Sequence, residues 1–123
     1  MISIDSSGWV ERLTGGPKSA TYNRVIDAVR ASEIVTSVVT IFEVYKRVKS
    51  AHGELAALED VAAIGQTRVV PFDHELALEA ADFSLSNGLH FADSIVYATA
   101  QRFRATLYTS DIDLAKSPGV VLV

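Results

Sequence analysis

The chain has 123 residues, and at roughly 100 to 200 residues per domain this length predicts a single domain over residues 1–123. It contains no cysteine, which excludes a disulfide framework, a thiolate zinc site, an iron–sulfur cluster and a cysteine nucleophile. The 11 Lys and Arg residues against 15 Asp and Glu residues give a net charge of −4, so any nucleic-acid contact needs a local basic patch or a bound cation.

The sequence also bears on location. No apolar run reaches the ~18 to 20 residues that span a bilayer. The N-terminal segment MISI is interrupted by Asp5 and has no basic segment before it, so we expect no secretory signal. Together with the lack of cysteine, these features predict a cytoplasmic protein with no membrane contact.

The first half of the chain alternates apolar runs with helical patterns. Residues 2–6 form a β-rich run that ends at Asp5 and predicts a strand leading into a helix. Apolar side chains spaced by three and four residues predict an amphipathic helix over residues 22–32. The run over residues 34–39 predicts a buried strand, and Thr40 and Glu43 have the spacing of a helix N-cap and its capping-box partner.

The second half continues the alternation. It predicts helices over residues 53–63, 74–86 (with Asp73 as the cap) and 91–103, and strands over residues 68–72, 106–109 and 120–123. Strands that alternate with helices of ten or more residues require right-handed crossovers, which place helices on both faces of a parallel sheet. The predicted fold class is therefore α/β, a three-layer α/β/α sandwich with a short parallel sheet.

Two acidic residues lie where predicted strands end. Asp5 closes the first strand, and Asp111 follows the strand over residues 106–109. Because open α/β sheets bind ligands at the carboxyl ends of their strands, both are candidate site residues. The alternative is that each one caps the helix that follows it, a common role for aspartate.

Glu43 and Asp93 are acidic residues near the starts of predicted helices, and both have apolar neighbours. Glu43 lies within the segment IFEVY, and Asp93 stands at the top of an apolar stripe that continues through Val96 and Tyr97. A charge on an inward-facing stripe is costly, which favours a functional role. The alternatives are a capping-box bond for Glu43 and a helix-dipole interaction for Asp93.

These four acids map to one edge of one sheet, where like charges repel and drive some carboxyl groups to the neutral form. A divalent cation removes this conflict, and oxygen ligands without Cys or paired His favour Mg²⁺ or Mn²⁺ over zinc. Mg²⁺ commonly completes its shell with substrate phosphate, so the pattern favours phosphoryl-ester chemistry. Asp113, two residues after Asp111, is either a further acid of this site or a turn residue.

Four segments surround these acids: ISIDSS with Asp5, TSVVTIFEV with Glu43, FADSIVYATAQRFRATLYTSDIDL with Asp93 and Asp111, and a closing Gly-Val-Val-Leu strand. They resemble the PIN domain family, and most closely its small VapC-type ribonuclease toxins. The resemblance covers the whole chain. Its most specific part is the third segment, in which an Asp, an Ala-rich helix, a short strand and Thr-x-Asp follow one another as in the family.

The resemblance implies a Mg²⁺- or Mn²⁺-dependent endoribonuclease that acts as the toxin of a type II toxin–antitoxin pair. The implied metal and catalytic residues are Asp5, Glu43, Asp93 and Asp111, with Thr109 or Ser6 as a hydroxyl that helps to orient water, and with Asp113 at a position that is less constant in such domains. The implied partners are the RNA substrate, a cognate antitoxin protein and a second copy of the chain in a homodimer.

Three basic residues follow Glu43 on the same predicted helix, and an acidic protein needs such residues to contact an RNA backbone. They are Lys46, Arg47 and Lys49, and the alternative is a solvated helix face with an Arg47–Glu43 pair. Four apolar residues are candidates for an antitoxin groove or a dimer contact, and the alternative is that all of them are core: Trp9, Leu13, Phe42 and Tyr45.

Three other functions compete with this interpretation. A receiver-like phosphoacceptor domain needs paired acids near the N-terminus and a late Lys after a strand, whereas Ser6 and Ser7 follow Asp5 and Ser110 follows Thr109. A haloacid-dehalogenase-type phosphatase needs Asp-x-Asp after its first strand, which is also missing. A non-catalytic binding module on a PIN scaffold is disfavoured because all four acids are present.

Overall fold

The computed structural model describes all residues from Met1 to Val123. Its five strands are β1 (Ile2–Ile4), β2 (Ile34–Ser37), β3 (Arg68–Val70), β4 (Thr106–Thr109) and β5 (Val120–Leu122). Its six helices are α1 (Ser6–Thr14), α2 (Ser19–Asp27), α3 (Val38–His52), α4 (Glu54–Ile64), α5 (His74–Asn87) and α6 (Phe91–Arg102). Short 3₁₀ helices cover Ala31–Glu33 and Leu114–Lys116.

The strands form one sheet in the order β3-β2-β1-β4-β5, and every neighbouring pair is parallel. The chain moves outward from β1 through β2 to β3 and then returns to place β4 on the other side of β1. The strand order therefore reverses at β1 and β4, and ligands bind at such a reversal, beyond the carboxyl ends of the strands.

Two apolar clusters cover the two faces of the sheet, which confirms the predicted α/β class and its three layers. Successive strand residues point to opposite faces. Ile34 therefore packs with Trp9, Tyr22 and other side chains of the α1–α4 layer, whereas Val35 packs with the α5–α6 layer. Helix α6 is buried continuously from Ser94 to Ala100, because it lies between the sheet and α5.

The start of α3 differs from the prediction. The helix begins at Val38, because the Ser37 side chain caps it by accepting a hydrogen bond from the Val39 backbone N–H at 3.1 Å. The predicted Thr40 N-cap and its capping box with Glu43 are therefore wrong. Glu43 lies in the second turn, and Thr40 is a buried helix residue whose hydroxyl has no hydrogen-bond partner.

Two other predictions need correction. Helix α2 ends at Asp27 instead of near residue 32, and a 3₁₀ turn follows it. Strand β3 ends at Val70, because Pro71 has no N–H to continue the ladder. Trp9 is only 4% exposed and packs in the core, as the alternative interpretation of this residue predicted, although one edge of it lines a small cavity beside Leu13. None of the helices is both long and apolar enough to cross a membrane.

Candidate active site

The acids predicted from the sequence lie around the carboxyl edge of the sheet. Asp5 comes directly after β1, and Asp111 comes two residues after β4. Glu43 is carried by α3, which leaves the carboxyl end of β2, and Asp93 lies in the first turn of α6. Crossover topology thus brings together residues that are far apart in the sequence.

Asp5 is the most buried of these acids, with only 6% of the residue exposed. The Thr109 hydroxyl donates to Asp5 Oδ2 at 2.9 Å, and the Ser7 hydroxyl donates to the same oxygen at 3.4 Å. Asp5 occupies the N-cap position of α1, but its side chain makes no capping hydrogen bond. Burial raises the pKa of Asp5, the hydroxyl contacts oppose this shift, and the charge of Asp111 adds to it.

Glu43 is half-buried on α3 and faces the same site. Burial raises its pKa, and repulsion from Asp5 and Asp93 raises the pKa further. The Ser6 hydroxyl favours the charged form of Glu43 and so opposes the rise in pKa. Glu43 is thus coupled electrostatically to two other acids, although it is carried by a different helix.

Asp93 shows the largest perturbation. Its pKa is raised to about 6, chiefly by burial and then by the charges of Asp111 and Asp5. A first-turn acid that served only the helix dipole would lie toward solvent with a normal or lowered pKa. Asp93 instead carries a carboxyl group whose pKa is raised by burial first and by the neighbouring acids second.

Asp111 has a structural contact as well as its place near the other acids. Its Oδ1 accepts hydrogen bonds from the backbone N–H groups of Asp113 at 2.8 Å and Leu114 at 3.3 Å, so it caps the turn before the second 3₁₀ helix. Asp113 is exposed and pairs with Lys116 at 3.2 Å. The charge of Asp113 still contributes to the raised pKa of Asp93.

We call Asp5, Glu43, Asp93 and Asp111 the acidic edge. None of the four lies within 4 Å of a basic side chain, whereas six other acids form ion pairs. No three acidic or histidine side chains are close enough together to hold a metal ion as they stand. The donor chemistry nevertheless fits a hard divalent cation, because the edge offers only oxygen ligands and an uncompensated negative charge.

A second layer of hydroxyl groups supports the acidic edge, and the sequence analysis did not identify its role. The Ser7 hydroxyl contacts Asp5, and its oxygen also accepts the Ser110 backbone N–H at 3.3 Å. The predicted role of Ser6 or Thr109 in orienting water stays a prediction. The Tyr22 hydroxyl lies 2.8 Å from Ser110 Oγ. Gly8 makes room for this arrangement, because a Cβ there would overlap the Tyr22 ring. No local sequence signal links Tyr22 to the site, whereas Ser7 stands in the same segment as Asp5.

The three basic residues of α3 separate into two environments. Lys46 and Arg47 line a groove of about 490 Å³ together with Glu43, and neither forms an ion pair. The predicted alternative of an Arg47–Glu43 pair is therefore not formed. Lys49 instead contacts the Tyr45 hydroxyl at 3.3 Å and Glu54 at 3.6 Å.

The sequence matches the PIN domain family over residues 2–119. This chain belongs to the PIN domain family. No curated protein sequence matches it. The suspected family is thus confirmed, and its fold agrees with the parallel five-stranded sheet described above.

Solved structures similar to this PIN domain come from several bacteria. A toxin–antitoxin complex from Klebsiella pneumoniae contains a chain that is 24% identical with a TM-score of 0.81, covering 98% of this chain and 96% of that chain. Mycobacterium tuberculosis VapC20, a sarcin–ricin-loop-cleaving toxin, is 18% identical with a TM-score of 0.79, covering 96% and 95%. FitAcB from Neisseria gonorrhoeae is 22% identical with a TM-score of 0.75, covering 99% and 96%.

Proposed function

We propose that this PIN-domain protein is a Mg²⁺- or Mn²⁺-dependent endoribonuclease and the toxin component of a type II toxin–antitoxin system. The observation that carries the proposal is the acidic edge: four carboxylates without basic partners lie at the strand-order reversal of a parallel sheet. Perturbed pKa values in Asp5, Glu43 and Asp93 are typical of functional sites. The similarity to a sarcin–ricin-loop-cleaving toxin agrees with RNA as the substrate.

Each acid has a role in this proposal. Asp5 and Asp93 are the principal metal ligands, and Asp111 is a direct or water-mediated ligand. When bound, the metal ion supplies positive charge that stabilises the attacked phosphate. The raised pKa of Glu43 suits it to accept a proton from the attacking water at its carboxylate. Thr109 and Ser7 hold the Asp5 carboxylate in one orientation.

RNA needs local positive charge to approach an acidic protein. Lys46 and Arg47 supply it, because both line the groove that contains Glu43 and neither is paired with an acid. Lys49 contributes less, because its ammonium group already contacts Tyr45 and Glu54.

The test is an RNA-cleavage assay with the purified chain. Total RNA and defined tRNA and rRNA fragments are incubated with Mg²⁺, with Mn²⁺ and with a chelator. We expect discrete cleavage products with either metal and none with the chelator. Binding of metal and RNA without cleavage would instead support a non-catalytic module, and equal cleavage in the chelator would contradict metal dependence.

A cognate antitoxin is the proposed protein partner, as in the Klebsiella toxin–antitoxin complex. The supporting surface is an apolar groove of about 660 Å³ on α3, lined by side chains that include Val38, Ile41 and Tyr45. A basic residue of the partner would also find acids without cation partners at the acidic edge. Co-expression with the product of an adjacent small reading frame should yield a complex with suppressed RNA cleavage, and failure to bind or suppress would contradict the toxin assignment.

A homodimer is the proposed assembly. Phe72, Leu85 and Phe91 expose apolar surface around a groove of about 480 Å³ between α5 and α6. Phe72 and Phe91 make an edge-to-face contact with ring centroids 6.3 Å apart, and both rings are exposed. Sedimentation analysis should give a dimer, and Leu85→Asp should convert it to monomer. A wild-type protein that is monomeric at micromolar concentration would contradict this assembly.

A further inference from the structure

Phe42 is a large aromatic residue that the fold leaves at the surface beside the acidic edge. It is 65% exposed and precedes Glu43 in the sequence. Its ring lies on the ridge between two grooves of α3, since it lines both the groove that contains Glu43 and the apolar groove that contains Tyr45. Leaving a phenylalanine here has no packing benefit for the core.

We propose that Phe42 is a stacking platform for a nucleobase of single-stranded RNA, with Lys46 and Arg47 contacting the adjacent phosphates. This inference rests on the proposed ribonuclease function and assigns part of its substrate site. The nucleotide that contacts Phe42 must be unpaired or at a helix end, because a base within a helix is already stacked on both faces.

The groove has the composition that such binding needs. Its lining consists of one aromatic ring, one acid, two cations and one hydroxyl: Phe42, Glu43, Lys46, Arg47 and Ser50. The Lys46 ammonium lies over one face of the Phe42 ring, 5.8 Å from its centre, so a base would stack on the other face or displace this ammonium toward the phosphate. A base on the ring would place its neighbouring phosphate within reach of this cation and close to Glu43.

A second aromatic–cation pair on the same helix provides an internal contrast. Lys49 lies 5.3 Å from the centre of the Tyr45 ring, but its ammonium group also contacts the Tyr45 hydroxyl and Glu54. Tyr45 is half-buried and does not line the Glu43 groove. Of the two pairs, the one at Phe42 therefore combines an exposed ring with a cation that has no acid partner.

Charge favours RNA over a protein segment as the occupant of this groove. An apolar protein segment in the Glu43 groove would cover Phe42 but would also desolvate Arg47, which lines this groove and not the apolar groove, without providing an anion for it. A phosphodiester provides that anion, and its base covers the ring. The two cations also form a local positive site on a chain with a net charge of −4.

The test compares two fluorescent 12-nucleotide RNAs in a chelator-containing buffer, where binding is measured by anisotropy without cleavage. One is oligo(A) and the other is an abasic oligomer of the same length. Phe42→Leu should weaken oligo(A) binding about tenfold, within the range of about 5- to 150-fold that one stacked base contributes, whereas Phe42→Trp should retain it. Wild type and Phe42→Leu should bind the abasic RNA equally.

Two further variants complete the design. Lys46→Ala with Arg47→Ala should weaken binding of both RNAs and reduce the log–log salt slope by about 1.4, since each phosphate contact contributes about 0.7, whereas Phe42→Leu should leave the slope unchanged. Leu78→Ala on α5 is the matched control, because Leu78 is 58% exposed and lies outside the grooves, and it should bind both RNAs as wild type does.

Equal binding of oligo(A) by wild type and Phe42→Leu would overturn the stacking role, as would an equal loss on the abasic RNA. Loss of antitoxin capture by Phe42→Leu with unchanged oligo(A) binding would also overturn it and would assign the ring to the protein partner. The metal-dependent cleavage assay tests the ribonuclease function separately. If wild type cleaves RNA and Phe42→Leu binds oligo(A) as wild type does, the stacking role is wrong and the ribonuclease function stands. If wild type does not cleave RNA, the ribonuclease function itself is contradicted.

Discussion

Several acidic side chains on the outer helices of this PIN domain form ion pairs, whereas those of the acidic edge do not. Asp27 pairs with Arg12 at 2.9 Å, and Glu79 pairs with Arg102 at 3.2 Å. At the acidic edge, Asp5 is buried and Asp93 is half-buried, and neither has a basic partner. Asp5 and Asp93 thus lack the ion pairs that Asp27 and Glu79 have.

This difference indicates that the acidic edge is not arranged for stability. Burial and mutual repulsion raise the pKa of Asp5, Glu43 and Asp93. Both effects destabilise the folded state when these carboxyl groups are ionised. A bound cation would remove much of this cost, and stability would then depend on the ligand. Four predictions test the contrast between the two groups of acids.

The largest effect is expected from removing charge at the acidic edge. Asp5→Asn and Asp93→Asn should each lower RNA cleavage at least about 100-fold, because each removes a proposed metal ligand. The metal-free protein should be as stable as wild type or more stable, since the substitution also relieves repulsion. Cleavage rates and urea unfolding measure the two effects, and wild-type cleavage by either variant would remove that residue from the metal site.

The second prediction concerns the hydroxyl that connects β4 to Asp5. Thr109→Val should lower the free energy of unfolding by about 1 to 3 kcal/mol, because the buried Asp5 carboxylate loses a donor and the Asp111 N–H loses an acceptor. Cleavage should fall about tenfold as Asp5 loses its fixed orientation.

Thr99→Val is the matched control for Thr109→Val. Thr99 is equally buried, but its hydroxyl bonds only to the Ile95 carbonyl within α6. The control should leave cleavage unchanged. Equal loss of cleavage in both variants would show that core packing, and not the Asp5 contact, limits activity.

The third prediction concerns pH. The pKa of Asp93 is about 6 in the folded state, above its usual value of 3.8. Between these two pH values the folded state binds a proton that the unfolded state has already released, and this difference stabilises the fold at low pH. This contribution to stability is complete below pH 3.8 and is lost as pH rises through 6. As pH rises from 5 to 7.5, the free energy of unfolding of metal-free Asp93→Asn should therefore increase by about 1 kcal/mol relative to that of wild type. This figure is reduced for solvent screening, because Asp93 is half-exposed. Parallel stability profiles would contradict the raised pKa.

The smallest effect is expected from the paired acids. Asp27→Asn should change the free energy of unfolding by less than about 1 kcal/mol, because the Asp27–Arg12 pair is partly exposed and screened. RNA cleavage should stay at the wild-type rate. A large loss of activity would mean that charge on the outer helices also supports the site.

The strand-end acids show what the sequence can predict. Asp5 and Asp111 follow short apolar runs, and parallel topology alone places the ends of those runs at one edge of the sheet. The α/β class followed from the same alternation of strands and helices. The metal and catalytic roles of these residues stay predictions until the variants are assayed.

The start of α3 shows what the sequence does not decide. Thr36, Ser37 and Thr40 lie within five residues, and each can cap a helix. Thr36 is occupied by a hydrogen bond to the Thr67 hydroxyl at 2.7 Å, a contact across 31 residues that no local pattern reveals. Ser37 caps the helix, and Glu43 therefore lies in the second turn instead of the first. The Tyr22–Ser110 contact depends in the same way on tertiary packing.

The pairing of β1 with β4 has a consequence for the order in which the protein is synthesised. Thr109 is made 104 residues after Asp5, yet it provides the shortest side-chain hydrogen bond to that carboxylate. At about 5 to 20 residues per second, a ribosome needs about 5 to 20 s to add those residues. During that time β1 lacks one of its two neighbouring strands, and Asp5 lacks Thr109 and Asp111. A growing chain therefore cannot assemble the acidic edge until Thr109 and Asp111 have been synthesised, and the proposed nuclease activity would be delayed until β4 can pair with β1.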